Sequence, residues 1–238
     1  MSQNHNTAKT ETIQIDTAHG TMQAFVAYPD SSPSPCILVL QEAFGVNDHI
    51  KDIAIRFSKQ GYVAIAPELF YRTAPPGFVG SYDDFQSLQI HFGQLTPENL
   101  GSDLKSVFEW IHSNPKIEPD RIASIGYCLG GRVSFLANAM FSLKAAISYY
   151  GTRIIQSTDY SALQRAPLLL VWAGKDKGTK PDQIRAVADS LRAADKNFTE
   201  LVFSEAEHGF FCDARGAYHK SSADQAWAIT LAFLKEYV

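Results

Sequence analysis

Four residues of this chain have the types and settings for covalent chemistry: Cys128, Asp176, His208 and Glu42. A free thiol near neutral pH is mostly protonated, and the thiolate is the nucleophile. An imidazole within hydrogen-bond reach can take that proton and later return it to a leaving group. A carboxylate on the other ring nitrogen fixes the tautomer and stabilises the imidazolium. Thiol, carboxylate and imidazole occur in that order along the chain. Glu42 adds a fourth group that can handle a proton.

These residues need elements that bring them together. Cys128 lies in Gly126-Tyr127-Cys128-Leu129-Gly130-Gly131, between an apolar run over 121–125 and a helical pattern over 129–140. Glycines around a turn let two backbones pass where a Cβ would collide. A helix starting just after the thiol aims its first N–H groups at the same point. The other three candidates also follow apolar runs: Glu42 follows 36–40, Asp176 follows 167–173 and His208 follows 199–203.

Further buried strands are expected at 62–66 and 145–150, and an alternating hairpin at 11–16 and 22–28. Helices are expected at about 48–60, 97–114, 182–194 and 221–237, with a weaker one over 82–94. Alternating strands and helices predict an α/β fold: a mostly parallel, twisted sheet of about eight strands, helices on both faces and an antiparallel N-terminal hairpin. Functional side chains in such a sheet gather at the carboxyl ends of the strands. Residues 68–95 and 152–165 are the only long insertions near those ends, so no large cap domain is expected.

Composition excludes several classes. The chain has 238 residues, 45% of them hydrophobic, and a formal net charge of −4. It has no basic cluster for nucleic acid and no apolar run long enough to span a membrane. Three cysteines do not make a disulfide framework, which suits a reducing, cytoplasmic setting. Residues 1–10 read as a disordered tail, and 11–238 as a single domain of a monomer or small homo-oligomer.

The thiol-bearing turn is similar to the serine elbow of α/β-hydrolases. With Gln41-Glu42-Ala43-Phe44-Gly45, Leu69-Phe70-Tyr71-Arg72, Gly174-Lys175-Asp176 and His208-Gly209-Phe210, it resembles the dienelactone hydrolases (carboxymethylenebutenolidases) across 11–238. The resemblance implies an α/β-hydrolase fold, a catalytic set of Cys128, Asp176 and His208, and a Glu42 that acts on the resting thiol. It also implies that Arg72 binds a substrate carboxylate. Oxyanion donors are expected at the Leu129 amide and at Ala43 or Phe44. Tyr127 and Arg215 are counted with Arg72 as substrate-binding.

One position departs from the family pattern. A second arginine is expected four residues after the histidine, where this chain has Cys212; Arg215 is the nearest substitute. No second ligand cluster is evident near Cys212, so no metal is expected, and no cofactor. The partner is a small lactone or ester. Three functions stay open: opening of a carboxylated enol lactone, broader small-ester hydrolysis, and a non-catalytic thiol redox sensor on a hydrolase scaffold.

Overall fold

The computed structural model of the protein describes residues 8–238. Its strands are β1 (Lys9–Thr17), β2 (Gly20–Tyr28), β3 (Ser34–Leu40), β4 (Val63–Pro67), β5 (Ile117–Tyr127), β6 (Ala145–Tyr149), β7 (Leu168–Ala173) and β8 (Phe198–Phe203). They form one sheet in the order β1-β2-β4-β3-β5-β6-β7-β8. The pairings β1–β2 and β2–β4 are antiparallel, and all pairings from β4 to β8 are parallel.

The helices are α1 (Asp48–Ser58), α2 (Gln89–Phe92), α3 (Pro97–Ser113), α4 (Leu129–Met140), α5 (Pro181–Ala193) and α6 (Lys220–Tyr237). Side-chain caps start α1, α3 and α6, the last through His219 Nδ1, which accepts from the Ser222 amide at 3.4 Å. Asn47 Oδ1 accepts from the Ile50 amide at 3.1 Å, and Thr96 Oγ1 accepts from the Asn99 amide at 3.2 Å. Phe57 of α1 and Trp227 of α6 meet with ring centroids 4.7 Å apart, so these helices share one face of the sheet. On the other face α3 packs on α4, and α4 packs on a 3₁₀ segment (Ile154–Leu163) that also touches α5. With both faces covered, β4, β6 and β7 are buried at every residue.

Four expectations need correction. The tail was expected to run to residue 10, but Lys9 and Thr10 already pair with Tyr28 and Ala27 in β1–β2; residues 1–7 lie outside the described residues. Over 82–94 only Gln89–Phe92 is helical. There, Ser81 Oγ accepts from the Asp83 amide and Asp84 Oδ1 from the Ser87 amide, which satisfies the backbone as turns instead. The 152–165 insertion, for which no element was expected, holds the 3₁₀ segment. The strand expected over 145–150 stops at Tyr149, because Tyr150 has φ 37°. No helix among the described residues is long and apolar enough to cross a membrane.

The junction of β3, β5 and α4 is closely packed. A Cβ on Gly126 would collide with the Gly130 carbonyl, and one on Gly130 with the carbonyls of Leu40 and Gln41. Gly130→Ala should therefore destabilise the protein by about 2–4 kcal/mol. Gly216→Ala, at a site with nothing within 4 Å of the new Cβ, should change little. Thermal unfolding followed by circular dichroism compares the two; equal melting temperatures would show that the junction tolerates the methyl.

Candidate active site

Cys128 is the N-cap of α4, with φ 53° and ψ −115°. A non-glycine residue in the left-handed region costs roughly 1–3 kcal/mol, so the surrounding structure must hold it there. Three backbone hydrogen bonds do so. The Cys128 amide donates to the Tyr149 carbonyl at 3.0 Å, and its own carbonyl accepts from the amides of Gly131 and Thr152, each at 3.0 Å. The turn sends the thiol toward a cavity of about 560 Å³, where Sγ lies 3.4 Å from Thr152 Oγ1.

Asp176 and His208 reach the same cavity from the ends of β7 and β8. His208 Nδ1 lies 2.7 Å from Asp176 Oδ2. The other carboxylate oxygen, Oδ1, accepts from the amides of Gly178 at 2.7 Å and Thr179 at 3.2 Å. Burial pushes the Asp176 carboxyl up, but His208 and these two amides outweigh it and hold the group below the usual carboxylate range. Burial likewise opposes protonation of His208. The charge of a Cys128 thiolate, together with the Asp176 carboxylate, overrides it and raises the imidazole to about 10. The folded protein thus holds this proton more tightly than the unfolded chain. That contribution to stability is fully present below an ordinary histidine pKa of about 6.5 and is lost as pH rises through about 10.

Glu42 follows β3 and is fully buried. Its Oε1 accepts from the Tyr150 hydroxyl at 3.4 Å and lies 3.8 Å from Arg215 Nη1, while Oε2 is buried without a partner. Burial raises the Glu42 carboxyl, against the lowering influence of Arg215, His208 and Tyr150. Arg215 itself lines the cavity and stacks on Phe44 and Tyr82, its guanidinium carbon 5.4 and 5.8 Å from the ring centroids. Gly209 has φ 83°, and a Cβ there would strike the Arg215 guanidinium, so a glycine is needed to seat that arginine.

Cys128, Asp176, His208, Leu129, Ala43, Phe44 and Arg215 all border this cavity. Leu129 is the first residue of α4, so its amide opens the helix beside the thiol. Two residues expected at the substrate are elsewhere. Arg72 does not line the cavity: its Nη2 and Nε donate to the Asp103 carboxylate at 2.6 and 3.1 Å, and the Tyr71 hydroxyl donates to the same carboxylate at 2.6 Å. Asp103, on α3, is buried, and Arg72 balances its charge. Tyr127 is fully buried and packs on Tyr149 and Phe211, at centroid distances of 4.9 and 5.4 Å.

The cavity wall also holds residues that sequence reasoning missed, above all Arg153, with Thr152, Lys175 and Lys177. Arg153 has φ 62° and opens the 3₁₀ segment. It follows β6, and asking which useful side chain comes just after that strand would have found it. Tyr150, between Glu42 and the His208 ring at 5.0 Å, comes from the same strand end.

A mainly parallel eight-stranded sheet, with a glycine-flanked, cysteine-bearing turn and an acid–histidine pair at its strand ends, defines an α/β-hydrolase fold. The model of the dienelactone hydrolase family matches residues 22–238, and the chain belongs to that family, whose members hydrolyse lactone or ester bonds. A protein of Yersinia pestis provisionally named carboxymethylenebutenolidase is 33% identical over 228 residues, covering 91% of this chain and 84% of its own length. A similarly named Escherichia coli protein is also 33% identical, covering 91% and 83%. The crystal structure of a provisionally assigned dienelactone hydrolase from Klebsiella pneumoniae superposes with a TM-score of 0.88 at 30% identity, covering 98% of this chain and all of that one.

Arg72→Ala is expected to act on stability rather than on substrate. Leaving the Asp103 carboxylate buried and unpaired should cost about 3–5 kcal/mol. Chemical denaturation measures that loss, and KM for a carboxylated lactone should stay within about twofold at temperatures where the variant is folded. A stable variant with a greatly raised KM would return Arg72 to the substrate.

Proposed function

We propose that the protein opens a small enol lactone bearing a carboxylate, of the dienelactone-to-maleylacetate type, through a Cys128–His208–Asp176 triad and a thioester. The observation that carries this reading is the shared cavity: a thiol at a strained turn, a carboxylate-held imidazole, and the guanidinium groups of Arg153 and Arg215 in one wall system. Cationic groups in a partly desolvated pocket select an anionic substrate, and guanidinium matches carboxylate geometry.

In this mechanism the Cys128 thiolate attacks the lactone carbonyl. The developing oxyanion takes hydrogen bonds from the Leu129 amide and from the amide of Ala43 or Phe44. The ring C–O bond breaks, His208 gives its proton to the departing enolate oxygen, and the resulting enol stays attached through the acyl group as a Cys128 thioester. His208 then removes a proton from water, which attacks the thioester carbonyl and expels the thiolate. Asp176 keeps the ring oriented throughout. Losing one oxyanion donor typically costs about 100-fold or more in rate.

Glu42 rests against Arg215 and Tyr150, and none of the hydrogen bonds among the described residues joins it to Cys128. A substrate carboxylate that engages Arg215 offsets the positive charge that lowers the Glu42 carboxyl. Glu42 then becomes the stronger base, and this ties proton removal from a resting thiol to substrate entry. The three cysteines are all free, which suits a cytoplasmic setting.

The commitment of Arg72 to Asp103 favours a second reading, a broader esterase of small neutral esters. Steady-state kinetics on dienelactone and p-nitrophenyl acetate separate the two. Cys128→Ala should lower kcat/KM for both by at least about 10³-fold. Arg153→Ala should lower it about 10- to 100-fold for the lactone and leave the acetate nearly unchanged. Equal losses on both would favour the broader esterase. Lactone opening as fast in Cys128→Ala as in the parent protein would defeat both.

A further inference from the structure

Beside the cavity, three residues from separate segments converge on one buried point. Glu42 follows β3, His49 lies in the first turn of α1, and Cys212 lies in the loop after His208. All three are buried, and one ligand atom from each lies within 4.8 Å of the others. Two of these residues carry an orphaned atom: Glu42 Oε2 and His49 Nε2 are buried without a hydrogen-bond partner. A buried carboxylate oxygen and a buried imidazole nitrogen left unpaired together are costly, and each such group calls for an explanation.

We propose that Glu42, His49 and Cys212 form a binding site for a divalent transition ion of the zinc(II) class. The donor set supports that assignment. One thiolate, one imidazole and one carboxylate suit a borderline-soft ion and not magnesium or calcium, which take all-oxygen shells. Donors of a tetrahedral zinc centre stand about 3.3–3.8 Å apart, given bonds of about 2.0–2.3 Å. Small side-chain rotations would bring the observed spacing to that value. Binding exchanges the Cys212 thiol proton, released to solvent, for the metal–sulfur bond.

The surroundings are compatible with added positive charge. Arg215 stands on the Oε1 side of Glu42 and leaves Oε2 free, and at His49 the Asp213 carboxylate acts against the positive charges of Arg56 and Arg215. The Tyr82 hydroxyl, 3.4 Å from Cys212 Sγ and held by the Asn47 amide group at 2.9 Å, supplies a nearby oxygen for a fourth position. Sequence spacing offered only His208 as a companion for Cys212; the fold supplies Glu42 and His49 instead. Because the ion would claim Glu42, the loaded protein should turn over more slowly, a consequence that rests on the role given to Glu42 above.

The test is a cobalt(II) titration of the full, tag-free chain carrying Cys128→Ala, which removes the thiol at the cavity. One equivalent should produce a near-ultraviolet thiolate-to-cobalt band with the visible absorption of a tetrahedral site, and zinc(II) should bleach both. Adding Cys212→Ser should abolish the band and weaken binding by at least about 100-fold. His49→Gln, a second variant that keeps a polar group, should weaken binding at least about 10-fold, with folding checked by circular dichroism. No saturable band, or a band that survives Cys212→Ser, would overturn the site; if that variant does not fold, unchanged binding in His49→Gln would do the same. A cobalt band in the Cys128 protein with undiminished hydrolysis would leave the site standing and remove the role of Glu42.

Discussion

The close approach of three backbones at the end of the sheet is the constraint on which the rest depends. β5 can hand over to α4 within one residue only because Gly126 and Gly130 lack side chains, and Gly130 also lies against the end of β3. That contact fixes where α4 begins. It therefore fixes where the first helical amides point and where the Cys128 thiol emerges. The left-handed conformation of Cys128 is held by hydrogen bonds to the end of β6, to the loop after it and to the first turn of α4 acting together. Parallel strand order then does the remaining positioning, since β3, β6, β7 and β8 all end at the same edge and deliver Glu42, Arg153, Asp176 and His208.

Around this junction the protein buries several charges and balances each locally. Asp103 is matched by Arg72, and Asp176 by His208 and two backbone amides. Glu42 is the exception: its one near cation is 3.8 Å away and one of its oxygens has no partner. An imperfectly satisfied buried carboxylate is a costly feature for stability alone. It is useful where a group must change partner or proton during function. Both proposals made for Glu42 draw on that property, one through proton transfer and the other through metal ligation.

Much of this was legible in the sequence because it depends on local pattern. Continuous apolar runs marked the doubly covered strands, and the glycine pattern around Cys128 marked the turn. The rule that chemistry follows strand ends located Asp176 and His208. What was not legible depends on distant partners. The fate of Arg72 is set by Asp103, on a helix 31 residues further along the chain. Tyr127 adjoins Cys128 in sequence, but strand alternation turns its side chain toward His49 of α1 and Phe211 in the loop after His208, away from the cavity. His49 carries no such signal, because nothing in its neighbours announces that the fold will set it beside Glu42 and Cys212.

The central claim is that Cys128 carries the acyl group. Opening a lactone leaves the former ring oxygen on the same molecule, so the acyl-enzyme must gain the mass of the whole substrate. Acid-quenched intact-protein mass spectrometry during turnover of a carboxylated lactone tests this directly, with peptide mapping to place the adduct. The account predicts a transient adduct of full lactone mass on the peptide containing Cys128, enriched when His208→Ala blocks hydrolysis of the thioester. Sustained turnover with no adduct in the parent protein or in His208→Ala, and with the Cys128 peptide unmodified throughout, would contradict it.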